Sequence, residues 1–209
     1  DVANKGETVS AKLRSPGEFS AYNGLAAIAA LTCCGISFNK AVQALSKISV
    51  QGRFEIVEAT PGITFIIDYA HNGFSLENAL SVLRGYDPKR LICVFGSVGG
   101  RTKMRRAELG LVASRDADFC ILTSDNPDRE PPSVIIGEIA TYFTNGTCPY
   151  VAIPDRRKAI EYALENSEAG DIILLAGKGH ETYQEIQGVK HHLDEREEVA
   201  DYLKETRES

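Results

Sequence analysis

Apolar positions fall along this chain in two textures. Over residues 1–50 an irregular, polar start gives way to a stretch dense in Ala and Leu. That stretch predicts a helix over 21–34 that stops at Gly35, a residue suited to the left-handed helix end. A second, shorter helix is predicted over 39–47, with Ser37 or Asn39 near its cap. From about Phe54 the pattern changes to short apolar runs separated by amphipathic stretches. Residues 54–59 and 63–68 predict a hairpin around Thr60-Pro61-Gly62, and further strands are predicted over 91–95, 118–123, 150–153 and 171–176. The intervening helices are predicted over 76–83, 103–114, 133–143, 156–166 and 195–205. Asp155 is placed to cap the fourth of these. Asp194, with Glu197 three residues on, is placed to form a capping box at the last.

The later strands are nearly continuous apolar runs (Phe-Ile-Ile, Leu-Ile-Cys-Val-Phe, Phe-Cys-Ile-Leu, Ile-Ile-Leu-Leu) rather than alternating ones. Strands covered on both faces read this way, and the helices between them supply the cover. The fold class is therefore α/β: a Rossmann-like, doubly wound, mostly parallel sheet preceded by a short helical segment. Ligands of such sheets bind beyond the carboxyl ends of the strands.

Composition narrows the function. A net charge of −6 argues against a general nucleic-acid binder. No apolar run approaches the roughly 20 residues of a membrane span, and the first 17 residues are too polar for a signal peptide. Five cysteines without a C-x-x-C pair, Cys93 and Cys120 inside apolar runs, point to buried reduced thiols in a cytoplasmic protein.

The strand ends carry the chemistry. They are Asp68-Tyr-Ala-His71-Asn72-Gly73, Gly96-Ser-Val-Gly99-Gly100-Arg101, Thr123-Ser-Asp125-Asn126-Pro127-Asp128 and Ala176-Gly177-Lys178-Gly179-His180-Glu181. A structural sheet has no need for such a ring of polar and Gly-rich clusters. The second leads into Arg101-Thr-Lys103-Met-Arg105-Arg106, so glycines followed by cations at a helix start make a candidate anion cradle. His71 and His180 lack a third ligand at suitable spacing, so no metal site is expected. Gly177-Lys178-Gly179 lacks the spacing of a phosphate-binding P-loop.

In this order, Phe19-Ser-Ala-Tyr-Asn23-Gly-Leu-Ala-Ala, Gly52-Arg53-Phe-Glu55, the four strand-end clusters and Leu193-Asp-Glu-Arg-Glu-Glu-Val resemble the Mur ligase family over nearly the whole chain. The pairing of D-N-P with G-K-G-H-E resembles its tripeptide-synthetase branch. The resemblance implies that residues 1–50 end the family's central ATPase domain, whose P-loop is absent here, and that residues 51–209 form its C-terminal domain. It implies an ATP-dependent amide ligase of peptidoglycan precursor synthesis, using ATP with Mg2+ held mostly by the central domain. The full enzyme would add a diamino acid to UDP-N-acetylmuramoyl-L-alanyl-D-glutamate through an acyl phosphate. Its partners would be these small molecules and the central and N-terminal domains of the same chain, with no nucleic acid and no membrane. Catalytic residues proper would lie outside this stretch, with Arg53 in support.

By the same resemblance Asn23, Arg53, Asp68 and His71 would serve ATP: Asn23 near the adenine, Arg53 at the phosphates, Asp68 at the ribose. Arg101 would grip the carboxylate of the incoming amino acid, a task for a planar fork of donors. Asp125, Asn126, Asp128, Gly177 and Glu181 would line the pocket for its far end. Two positions depart from the family pattern. Asn72-Gly73-Phe74 follows His71 where x-P-D is usual, and Asp128 stands where users of meso-diaminopimelate carry Arg. A carboxylate at 128 would repel a carboxylate-bearing side chain, so L-lysine or ornithine is expected over meso-diaminopimelate. The alternatives are a folylpolyglutamate synthase-like or cyanophycin-synthetase-like ligase, or a stand-alone non-catalytic ligand-binding module.

Overall fold

The computed structural model describes residues 1–58, 62–143 and 148–208. The chain forms two compact units, Asp1–Gln51 and Gly52–Ser209.

In the first unit, β1 (Val2–Asn4) and β2 (Glu7–Val9) form an antiparallel hairpin where the sequence reads as irregular. Helices α1 (Glu18–Cys33) and α2 (Phe38–Leu45) follow. α1 ends as its glycine dictates. Gly35 adopts φ 87°, its N–H donates to Thr32 O, and the Ile36 N–H donates to Leu31 O. Ile28, Phe38, Ala41 and Val42 make a small core. Ser37 holds the cap position of α2 without a side-chain bond, while Asn39 pairs instead with Glu7.

The second unit contains β3 (Glu55–Glu58), β4 (Thr64–Asp68), α3 (Gly73–Arg84), β5 (Leu91–Phe95), α4 (Lys103–Asp116), β6 (Phe119–Leu122), α5 (Pro132–Ala140) and β7 (Tyr150–Ala152). Then come α6 (Arg156–Glu165), β8 (Ile172–Ala176), β9 (Tyr183–Ile186), β10 (Val189–His192) and α7 (Glu195–Glu208). The six-stranded sheet runs β3-β4-β8-β5-β6-β7, with only the edge strand β3 antiparallel. The predicted hairpin is thus present as β3–β4, and its turn at 59–61 lies outside the described residues.

Both faces of the inner strands β4, β8, β5 and β6 are dry, as the unbroken apolar runs require. Leu76, Leu80 and Leu83 of α3, Leu109 of α4 and Ile135 and Ile139 of α5 pack on one face; Ala159, Ile160 and Ala163 of α6 and Val199 of α7 pack on the other. Cys93, Cys120 and Cys148 are buried, unbridged thiols. Asp155 caps α6, accepting from the N–H groups of Arg157 and Lys158. At α7 the expected capping box is only half realised. Asp194 accepts from Arg196 N at 3.0 Å, but Glu197 turns to the imidazole of His192. The β9–β10 hairpin was not predicted at all.

Candidate functional site

Register decides the geometry. Asp68 lies beside Ala176 across β4–β8, and Phe95 beside Leu122 across β5–β6. The polar clusters that follow these strands therefore emerge at one edge of the sheet. The loops after β5 and β6 touch backbone to backbone. The Gly99 N–H donates to Asn126 O at 2.9 Å, and a Cβ on Gly99 would sit 1.9 Å from Pro127 O. Gly96 is equally tight, its Cβ position lying 2.1 Å from Thr123 O. These glycines are present because two main chains meet there.

The loop after β8 closes on the loop after β6 through side chains. Asn126 Nδ2 donates to Glu181 Oε2 at 2.9 Å, and Lys178 Nζ donates to Asn126 Oδ1 at 2.8 Å and to Glu181 Oε2 at 2.7 Å. Gly177 has φ 112°, and its Cβ position lies 3.0 Å from Asp125 Oδ2, so glycine serves there twice. Burial pushes the Asp125 carboxyl up, opposed by Arg156 and Lys178. Burial also pushes Glu181 up, but bonds from Lys178 and Asn126 more than offset it and hold Glu181 below the usual carboxylate range. Glu181 is thus held as a carboxylate paired with the Lys178 ammonium.

Arg101 rides on the Gly99-Gly100 loop with its side chain exposed. The cation cluster that follows is only partly available to a ligand. Arg106 is buried and paired with Glu130 and Glu138, at 2.6 Å each, and Lys103 also pairs with Glu138. Glu130 accepts in addition from Gly100 N, so this network anchors the loop that carries Arg101. The anion-cradle expectation thereby loses Arg106 and the engaged amides of Gly99 and Gly100, and narrows to the side chains of Arg101 and Arg105.

Asp128 has a structural task that the sequence did not reveal. It sits at φ 49°, its N–H donates to Glu185 O, and its carboxylate accepts from Gly188 N at 2.8 Å, closing the β9–β10 turn. The carboxylate that argued for an amine-terminated substrate is held at the β9–β10 turn by this bond.

Around β4 a second cluster forms. The Arg53 guanidinium lies 4.7 Å over the Tyr69 ring, which also contacts His71 and His180. The Asp68 carboxylate accepts from Phe54 N at 2.9 Å, and burial pushes its carboxyl up, partly offset by that bond. The His71 ring bonds to Tyr69 O. Gly52 (φ 68°) abuts Gly179 and His180, so the loop bearing Arg53 rests on the loop after β8. Asn23 lies exposed on α1 of the first unit. Among the described residues, no group of three His, Cys, Asp or Glu side chains is placed to hold a metal ion.

Sequence reasoning missed four supporting residues. Lys178 was passed over with the rejected P-loop, and Gln184, which donates to Asp125 O, falls in the unpredicted hairpin. Arg156 and Glu195 form a fully buried ion pair, and Arg156 also donates to Ser124 O and Ala176 O, the residues just before the two site loops. Signals existed for Lys178, inside the G-K-G-H-E cluster, and for Glu195, inside the Leu193-Asp-Glu-Arg segment.

Residues 52–179 match the family described as Mur ligase, glutamate ligase domain. The chain is 47% identical, over 98% of its length, to the UDP-N-acetylmuramoyl-L-alanyl-D-glutamate--2,6-diaminopimelate ligase of Caldanaerobacter subterraneus subsp. tengcongensis, of which it covers 42%. A diaminopimelate ligase of Clostridium acetobutylicum is 42% identical over 97% of the chain, again with 42% of that protein covered. A solved structure of a ligase of the same name superposes with a TM-score of 0.74 at 33% identity, over 95% of this chain and 41% of that one. The chain thus spans about two fifths of the length of the relatives it matches.

Proposed function

This chain belongs to the Mur ligase family, and from that membership we propose that it is the C-terminal part of an ATP-dependent ligase adding meso-diaminopimelate to UDP-N-acetylmuramoyl-L-alanyl-D-glutamate. In this reading residues 1–50 end the central ATPase domain and the rest is the C-terminal domain. The observation that carries it is the meeting of three loops, after β5, β6 and β8, around Asp125, Asn126 and Glu181, with Arg101 on the adjoining loop. Such a pocket matches a small zwitterion with charge at both ends.

The roles follow from chemistry. Arg101 offers a fork of donors to the carboxylate beside the reacting amine. Glu181, held ionised, accepts from the distal ammonium, flanked by Asn126, Asp125 and Gly177. Arg53, exposed above Tyr69, is a fixed cation for the phosphates of ATP, and Asp68 and His71 line the same side. ATP, with Mg2+ held by residues outside this chain, converts the dipeptide carboxylate to an acyl phosphate. The amine of the incoming amino acid attacks that carbon and phosphate departs.

Two observations move the amino acid from L-lysine to diaminopimelate. The Asp128 carboxylate is tied to the β9–β10 turn by Gly188 N, and Arg129 is exposed beside it as a cation for a second carboxylate. The similar proteins are also named for 2,6-diaminopimelate. Measuring ADP formation by the full-length ligase with the UDP-linked dipeptide and each of diaminopimelate, L-lysine and ornithine tests the proposal. Turnover with diaminopimelate is expected to exceed the others by at least about tenfold, the worth of one charge-assisted contact. A preference for lysine would overturn the choice of amino acid, and inertness towards the dipeptide with all three would overturn the function.

A further inference from the structure

Lys178 is not among the groups expected to meet substrate, yet it organises those that do. Its side chain is fully buried two residues beyond β8. Its ammonium bonds to Asn126 Oδ1 and Glu181 Oε2 and lies 3.8 Å from Asp125 Oδ1. The Glu185 N–H donates to the same Asn126 oxygen at 2.9 Å. Two donors converging on one atom of the amide assign that atom as oxygen, and the amide nitrogen must then face Glu181. One carboxylate oxygen of Glu181 receives both the lysine and the amide, which leaves its other oxygen for a ligand.

Charge completes the picture. Five buried or half-buried ionisable groups interact here: Lys178 and Arg156 against Asp125, Glu181 and Glu195. Two cations thus face three carboxyl groups. Asp125 Oδ1 is buried without a hydrogen-bond partner. Resting on the function proposed above, we infer that Lys178 is a specificity-determining positioning residue. It locks the Asn126 amide and the Glu181 carboxylate so that the remaining acceptor capacity fits a single substrate ammonium.

The groups facing Glu181 are Lys178 and His180 on its own loop, Asn126 and Asp125 after β6, and Tyr69 after β4, with the Arg156–Glu195 pair behind Asp125. Removing Lys178 takes away the cation that offsets burial, so Glu181 would bind a proton at higher pH than in the wild type.

The test uses the full-length ligase. Lys178→Met is expected to raise KM for diaminopimelate by about tenfold to a hundredfold while KM for ATP stays unchanged. Its kcat/KM for the amino acid should acquire a new dependence on pH, rising as Glu181 ionises. Combined with Glu181→Gln, it should cost little more than Glu181→Gln alone, because both changes disable one unit. Lys178→Gln, which keeps a donor but no charge, should show the same pH dependence and carries the test in the event that the Met variant fails to fold. Additive losses, a parallel rise in KM for ATP, or flat pH profiles in both variants would overturn the inference. A wild type inert towards diaminopimelate would count instead against the function reading, so the two failures are distinguishable.

Discussion

Replacing Arg156 with methionine is expected to lower the unfolding free energy by about 3–5 kcal/mol, the cost of leaving one member of a buried ion pair without its partner. Both side chains are fully buried. Arg156 donates through Nε and Nη2 to Glu195 Oε1, through Nη1 to Ser124 O and through Nη2 to Ala176 O. The substitution thus strands a carboxylate and removes donors from two carbonyls at the ends of β6 and β8. Burial already pushes the Glu195 carboxyl up, with Arg156 opposing. Without the arginine Glu195 would take up a proton more readily in the folded than in the unfolded chain. A group with a raised folded-state pKa favours folding below its unfolded value and loses that contribution as pH rises. The deficit should therefore be smaller in mild acid than at neutral pH. Denaturant unfolding at both pH values checks this. A second change, Glu195→Leu, should recover part of the loss, since the stranded charge goes with it.

Gly99→Ala is expected to reduce kcat/KM for the amino acid by about a hundredfold, the effect of roughly 1 Å of misplacement in a reacting complex. The new Cβ would lie 1.9 Å from Pro127 O and 2.7 Å from Pro127 C, and neither atom belongs to a side chain that can swing aside. The loops after β5 and β6 must separate, which breaks the bond from Gly99 N to Asn126 O and shifts the segment bearing Arg101 relative to Asp125. The stability cost is smaller, about 1–3 kcal/mol for overpacking. Steady-state kinetics alongside a thermal melt separates the two. An unchanged kcat/KM would mean that the spacing of these loops does not matter to binding.

Much of this molecule was legible before any coordinates. The continuous apolar runs at 91–95 and 171–176 announced doubly covered strands, and every strand of the central sheet lies where its run placed it to within a few residues. Gly35 and Asp155 act locally, so their roles as helix stop and cap were readable too. The β9–β10 hairpin was not. Its strands, Tyr-Gln-Glu-Ile and Val-Lys-His-His, are short and largely exposed, and what holds its turn is Asp128, 60 residues upstream. The same holds within the site. The motif order located the loops, but the orientation of Asn126 depends on Lys178 and Glu185, which reach it only after folding. The bond from Gly188 N to the Asp128 carboxylate was likewise out of reach of the sequence, because its donor lies 60 residues away.

On the proposed function, the loops after β5, β6 and β8 build a single amino-acid pocket. Its most direct test is the KM for diaminopimelate, beside the KM for ATP, of the full-length ligase carrying Arg101→Ala or Glu181→Gln. Each change removes a charge-assisted contact, so each should raise the amino-acid KM by about tenfold or more with the ATP value unmoved. An amino-acid KM that stays at the wild-type value in both variants would contradict the claim.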